Sequence, residues 1–283
     1  MDERARLRAA RDFAGADAVR DRLRAGGWEV VDSSAGSRLE RVPTASLVAI
    51  DAGWPADVAR WRRSVSELDA EVLVAPLDRE TGWAAAANGA VQPARAEVVI
   101  LFDPSVEAAG DVSGPLLEAL KDPSIAVAGP FGVRGKGSLK EFAAHPGPEV
   151  DAIEGYCMAF RRADFLAVGG FDRRFRFYRI ADIELSFKLR AKGDRRAVVV
   201  PVPVIKHEHR MWEATADAER QRLSRKNLYR FLDLWRDRED LLVERGEQSG
   251  KTQRDQQQAG KSGDPGPDAQ GDQPASAGDR PGQ

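Results

Sequence analysis

The sequence has one cysteine, three histidines and three methionines in 283 residues. A single thiol, Cys157, excludes an internal disulfide, and its apolar setting, GYCMAF, reads as a buried thiol rather than a reactive one. No window approaches the run of about 18 apolar residues that a membrane-crossing helix needs. The first residues, MDERARLRAARDF, are charged throughout and lack the apolar core of a signal peptide. An excess of charge of either sign is also missing. The formal net charge of −2 denies the basic footprint of non-specific nucleic-acid binding, so a nucleic-acid partner is not expected. These absences predict a cytoplasmic protein, with a peripheral place at the inner membrane surface also open. What is present, 42% hydrophobic and 31% charged residues, is enough for a sizeable core.

Composition divides the chain into three parts. From Gly246 to Gln283 there is no aromatic and no aliphatic residue larger than alanine. Such a stretch cannot bury enough surface to offset ordering entropy, so residues 246–283 are expected to be a disordered tail. Residues 1–44 read as a small module. Leu7, Ala10, Phe13, Ala14, Ala18, Leu23 and Ala25 recur at helical spacing, Gly26-Gly27 stops them, and Trp28–Asp32 and Arg38–Arg41 read as short strands around a turn. Residues 45–245 alternate strand-like and helix-like segments, the pattern of an α/β layer fold. Among them Val98–Phe102 reads as a strand buried on both faces, and Ile153–Phe160, Ala197–Ile205 and the long amphipathic helix Glu219–Leu241 follow further on.

Three constellations carry chemistry. Asp103 ends the buried run EVVILF, and ligands of open α/β sheets gather outside the carboxyl ends of strands. A carboxylate there suits a hard cation bridging two phosphates, and equally suits an Asp-Pro turn. Asp182 falls in the first turn of a helix, where the macrodipole favours its ionised form, as it would for a purely structural first-turn aspartate. His207 and His209 alternate along KHEH after a strand-like run, so both could point the same way toward a cation. The glycine-rich stretch Gly129–Ser138 contains no G-K-[ST] opening a helix, which argues for a mobile acceptor-side loop rather than a phosphate loop.

In order along the chain, these residues resemble the family-two inverting glycosyltransferases of the GT-A fold over about residues 46–235. The similarity rests on SLVAIDAGWPADV, on TGWAAAANGA with Gly82 and Asn88, on Phe102-Asp103-Pro104-Ser105 where that family has D-x-D, on CMAFRR, on Val168-Gly169-Gly170-Phe171-Asp172, on ADIEL and on the histidine pair. It implies a GT-A-like mixed sheet flanked by helices and a nucleotide-sugar donor. It also implies a hydroxyl acceptor (glycan, lipid-linked or small molecule) and a divalent cation, Mg²⁺ or Mn²⁺. It assigns Asp182 as general base, Asp103 with His207 or His209 as cation ligands, and Asp78, Gly82, Asn88 and Ser105 to the donor. Gly169, Gly170, Phe171, Asp172 and Glu184 fall to the acceptor side. The processive Q-x-x-R-W motif is missing, which implies a non-processive enzyme. Separately, Arg11-Asp12-Phe13-Ala14, Ala16-Asp17, Val19-Arg20-Asp21, Leu23, Gly27, Asp32-Ser33 and Gly36 resemble the carboxyl-terminal segment of cysteinyl-tRNA synthetases. That resemblance implies a docking module, or a residual RNA contact through Arg4, Arg6, Arg8 and Arg11.

Departures from the glycosyltransferase pattern point the other way. Ser105 replaces the second aspartate of D-x-D, Ala181 replaces a glutamate, and EVLVAPLD stands where the family has two strands. A degenerate, non-catalytic binding or scaffold protein is therefore the alternative reading.

Overall fold

A computed structural model describes residues 2–34, 36–136, 139–193 and 195–243. The expected disordered tail lies outside the described residues. At the N-terminus the structure has two helices, α1 (Asp2–Ala9) and α2 (Phe13–Ala25), where apolar spacing predicts one. The break falls at Arg11, whose φ is 60°, and Asp12 caps α2 by accepting the Gly15 N–H at 2.9 Å. Strands β1 (Trp28–Ser33) and β2 (Gly36–Arg41) form an antiparallel hairpin. Asp32 ties hairpin to helices, accepting from Arg4 at 2.8 Å and Arg8 at 3.0 Å. The Arg4 and Ser37 hydrogen bonds hold its carboxyl well below the usual range. Two of the arginines considered for RNA are thus engaged inside the module.

The larger part runs β3 (Ala45–Asp51), α3 (Pro55–Ser64), β4 (Ala70–Pro76), α4 (Trp83–Val91), β5 (Val98–Phe102), β6 (Val106–Ala108), α5 (Ser113–Ala119) and β7 (Ile125–Gly129). It continues with β8 (Gly132–Gly135), β9 (Phe142–His145), β10 (Glu149–Val150), β11 (Ala152–Ile153), β12 (Cys157–Arg161), α6 (Arg162–Ala167) and α7 (Ala181–Ala191). It closes with β13 (Arg196–Val199), β14 (Val204–Lys206), α8 (Arg210–Glu213) and α9 (Asp217–Trp235). A seven-stranded mixed sheet has the order β10-β13-β7-β12-β5-β3-β4. β3 runs parallel to β4 and β5, whereas β12 is antiparallel to β5 and β7. A three-stranded sheet β11-β8-β9 and a ribbon β14-β6 complete the strands.

The core lies on both faces of the large sheet. In β5, Val99 and Leu101 join α4 and α7, while Val98, Ile100 and Phe102 join Trp61 of α3 and Leu116 of α5. All five β5 residues are buried, each stabilising by roughly 1.5–3 kcal/mol relative to exposure. Carboxyl ends of β3 and β5 therefore open on one rim, and β4 is the edge strand beside them.

Two sequence expectations change here, and a third holds. Part of the glycine-rich stretch is strand β8, paired with β9 and β11, rather than a mobile loop; residues 137 and 138 of it lie outside the described residues. The expected strand Ile153–Phe160 splits into β11 and β12, because Glu154-Gly155-Tyr156 turns between two sheets. The run Ala197–Ile205, expected as a strand interrupted by two prolines, is β13 and β14, with Pro201 and Pro203, which cannot donate to a ladder, between them.

Candidate active site

At the end of β5, Asp103 is half-buried. Its Oδ1 accepts the Ser105 N–H at 2.8 Å, and its Oδ2 lies 3.1 Å from His209 Nε2. Burial works against its charge, but the His209 ring and Ser105 outweigh that and lower its pKa. His209 is buried and caps α8, its Nδ1 accepting the Trp212 N–H at 3.2 Å. Its ring stacks on Tyr178 at 4.2 Å and meets the edge of Tyr156 at 5.5 Å. With Nδ1 accepting, Nε2 carries the proton given to Asp103. The Ser105 hydroxyl beside them is buried without a hydrogen-bond partner.

His207 goes elsewhere. β14 ends at Lys206, so the extended register that would align both histidines stops, and His207 Nε2 sits 2.7 Å from Glu107 Oε1. Glu107 in turn pairs with Arg60 at 2.7 Å.

Asp182 opens α7. Its Oδ2 accepts the Gly155 N–H at 2.8 Å and its Oδ1 the Ile183 N–H at 2.9 Å. The residue before the helix, Ile180, has φ 71°, a strained value for a β-branched side chain. Sequence position suggests a readily ionised Asp182; in the structure burial wins over the two N–H groups and Arg179, and its pKa is raised. Glu154, from the turn between β11 and β12, is raised too, by burial and then by Asp182, with Lys206 and Arg179 opposing. Burial pushes the Tyr156 hydroxyl up to about 12, so it stays a neutral donor.

Asp103 and Asp182 border one small space of about 20 Å³, lined also by Trp83, Gly155, Tyr156, Tyr178 and His209. From Asp103 a second space extends along Trp54, Asp57, Trp83 and Arg210, with a volume of only about 20 Å³. From Asp182 a cavity of about 450 Å³ opens past Glu154, Tyr156 and Tyr178 toward α9. The order is the cleft beside Asp103, the central space, then the cavity beyond Asp182.

Other sequence candidates stand outside this line. Asp78 is exposed and folds back on its own turn, accepting from Glu80 N at 2.8 Å and Thr81 Oγ1 at 3.2 Å. Asn88 exchanges two 2.8 Å hydrogen bonds with the Phe171 backbone, clamping α4 to the Gly169-Gly170 corner. A side chain at Gly170 would strike that amide at 2.5 Å, and one at Gly82 would meet Arg176 at 2.7 Å. Phe171 is core, 5.0 Å from Trp83, and Asp172 pairs with Arg174 at 2.6 Å. Glu184 is buried under α7 with neither carboxylate oxygen hydrogen-bonded and Lys188 3.6 Å away. Burial pushes its pKa up to about 7, against the pull of Lys188.

Sequence reasoning missed Asp57. It is buried in the first turn of α3, held by Arg60 at 2.8 Å and by Arg210, 153 residues away, at 3.1 Å. Its place two residues after the proline that opens a helix was the only signal. Glu154, Tyr156 and Arg179 were missed as well.

No known protein family matches the chain, and no curated protein sequence matches it. Solved structures do. GalNAc-T7 with UDP, GalNAc and Mn²⁺ is 19% identical with a TM-score of 0.53, over 70% of this chain and 49% of that one. The mannosyltransferase PcManGT from Pyrobaculum calidifontis, in complex with GDP-Man and Mn²⁺, is 18% identical with a TM-score of 0.43, over 75% and 70%. The catalytic domain of Drosophila β1,4-galactosyltransferase 7, in complex with xylobiose, is 12% identical with a TM-score of 0.41, over 65% and 79%. This chain spans about half the length of the GalNAc-T7 chain. At such identity the likeness shows the fold, which is GT-A.

Proposed function

We propose that this protein transfers a sugar from a nucleotide-sugar donor to an acceptor hydroxyl with inversion, one sugar at a time. The observation that carries the reading is the convergence of Asp103 and Asp182 on one small space between two clefts. Asp182 accepts the proton of the acceptor hydroxyl as its oxygen bonds to the anomeric carbon. The bond from that carbon to the diphosphate oxygen breaks on the opposite side, and the electron pair leaves with the diphosphate. The Gly155 and Ile183 N–H groups hold the base still, and its raised pKa makes it a stronger proton acceptor.

The donor set fits a divalent cation. A carboxylate and an imidazole lie 3.1 Å apart, and the buried Ser105 is hydrogen-bonded through its N–H to the same aspartate. Among the described residues no group of three His, Cys, Asp or Glu side chains could by itself hold a metal ion. Asp103 and His209 would hold the cation, which would neutralise charge on the departing diphosphate. A panel of nucleotide sugars with Mn²⁺ tests the proposal. Turnover or thermal stabilisation with one of them is expected, and neither with any donor would sink it.

One observation favours the non-catalytic reading, the donor-side cleft of about 20 Å³. Turnover that disappears in Asp182→Asn would rule that reading out. Residues 1–44 fit a docking module, and the acceptor remains a glycan, a lipid-linked sugar or a small molecule. No helix among the described residues is long and apolar enough to cross a membrane.

A further inference from the structure

The cavity beyond Asp182 is charged unevenly. Its inner end, next to the central space, holds Asp182 and Glu154. Helix α9 and the turn leading into α7 add Arg179, Ser224 and Arg225 to its lining. Asn227 is buried and donates its amide to the carbonyls of Phe177 and Arg179, each at 2.8 Å. Ser224 lies one turn earlier on the same face of α9. The Arg179 backbone is thereby tied to α9, and its guanidinium lies 5.0 Å above the Trp212 ring.

These groups lack partners where their neighbours have them. Arg220, on the same Trp212 ring at 4.7 Å, is paired with Asp217 and donates to the Trp212 carbonyl. Glu141 of the same cavity is paired with Lys136 at 2.7 Å. Among the described residues neither Arg179 nor Arg225 makes an ion pair or a side-chain hydrogen bond; Arg179 only lies near enough to Asp182 and Glu154 to favour their charge. The Ser224 hydroxyl beside this cavity has no hydrogen-bond partner, and a small side-chain rotation would bring it to a ligand oxygen. Two planar guanidinium forks and a hydroxyl lining one cavity are the chemistry that recognises an oxyanion. They line neither the donor-side cleft nor the central space, so the donor diphosphate is not what they meet.

We infer that the acceptor is an anionic one, a phosphate ester whose phosphate is bound by Arg179, Arg225 and the Ser224 hydroxyl while its free hydroxyl reaches Asp182. This rests on the transferase reading. The phosphate is untouched by the reaction; only the acceptor O–H bond breaks, its proton passing to Asp182. Arg225 also borders an exposed basic groove on α9 with Arg222, Lys226 and Tyr229, so the phosphate can belong to a free small molecule or to a lipid headgroup.

The test is calorimetric titration of the full chain with glycerol 3-phosphate and with glycerol, and flotation with phosphatidylcholine vesicles with and without phosphatidic acid. UDP and GDP with Mn²⁺ are titrated in parallel. Glycerol 3-phosphate, the phosphatidic-acid vesicles or both should bind, and glycerol and plain vesicles should not. The soluble arm alone would assign a small phosphorylated molecule, the vesicle arm alone a lipid headgroup, as the source of the phosphate recognised. The double variant Arg179→Gln, Arg225→Gln should bind the phosphate probe about 10- to 100-fold more weakly. Nucleotide binding should be unchanged in it, and the double lysine variant should recover part of the loss. Nucleotide binding without binding of either phosphate probe would overturn the acceptor assignment and leave the transferase reading standing. So would equal phosphate binding by the glutamine variant. Phosphate binding with no nucleotide binding would overturn both, since an acceptor needs a donor.

Discussion

At the scale of single residues, Asp182 and Glu184 lie two positions apart on α7 and face different worlds. Asp182 borders the cavity with two N–H partners, and Glu184 is buried with none. Asp182 acts only when ionised, and burial raises its pKa. The acid limb of kcat/KM should therefore fall at a pH above the ordinary aspartate value of about 3.9. Asp182→Asn should lower kcat by about 100- to 10,000-fold and remove its part of that limb, while nucleotide binding persists. A variant that keeps kcat within a few-fold would exclude Asp182 as the base. Glu184 predicts a stability effect instead. Its folded pKa of about 7 lies above the ordinary 4.5, so the fold prefers the protonated form. The stability it contributes is present in full below the lower value and is lost as pH rises through the upper one. Relative to wild type, Glu184→Gln should gain on the order of 3 kcal/mol between those limits, read from paired denaturant curves. A difference that does not change with pH would contradict this. The two aspartates were legible in sequence because a strand end and a helix first turn are defined by local pattern. Asp57 was not, because its partner Arg210 is brought to it only by the closed fold. The histidines were equivalent until the end of β14 separated them.

At the scale of elements, α8 controls the donor side. Arg210 and Met211 line the cleft, and His209 is both the cap of α8 and the partner of Asp103. A small-molecule site spans roughly 300–1,000 Å³, far beyond the roughly 20 Å³ present here. A cation taken up through His209 Nε2 needs the ring proton on Nδ1, where it would face the Trp212 N–H now bonded there. Both arguments require α8 to give way when donor and cation bind. Amide hydrogen exchange over residues 208–214 should change on addition of a nucleoside diphosphate with Mn²⁺, together with loss of the Arg210–Asp57 contact. Unchanged exchange there alongside demonstrated nucleotide binding would refute it. Strand β5 and the helices beside it were legible because an unbroken apolar run and helical spacing are strong signals. The split of Ile153–Phe160 was not, because what bends the chain at Gly155 is a second sheet, formed by residues up to Gly132 on one side and His145 on the other. That bend is what presents the Gly155 N–H to Asp182.

At the scale of the whole molecule, residues 1–44 share one compact unit with the GT-A sheet. Ala16, Val19 and Val30 are buried within the N-terminal module and belong to neither layer of the main core. Across the junction run the ion pair Arg95–Glu40 at 2.6 Å, the long pair Arg41–Asp69 at 3.9 Å and a hydrogen bond from the Thr44 hydroxyl to the Asp69 carbonyl. Partly exposed pairs of this kind contribute about 0–1 kcal/mol each. In a domain of this size each kilocalorie shifts Tm by about 2–4 °C. A chain starting at Ala45 should therefore fold cooperatively with a Tm within about 8 °C of the full chain, and should retain nucleotide binding, because Asp103, Asp182 and His209 all lie beyond the cut. Circular dichroism melts of the two chains measure the first expectation, and nucleotide titration the second. Failure of the shorter chain to fold would make the module part of the core. Folding with loss of nucleotide binding would instead mean that the module reaches the donor cleft.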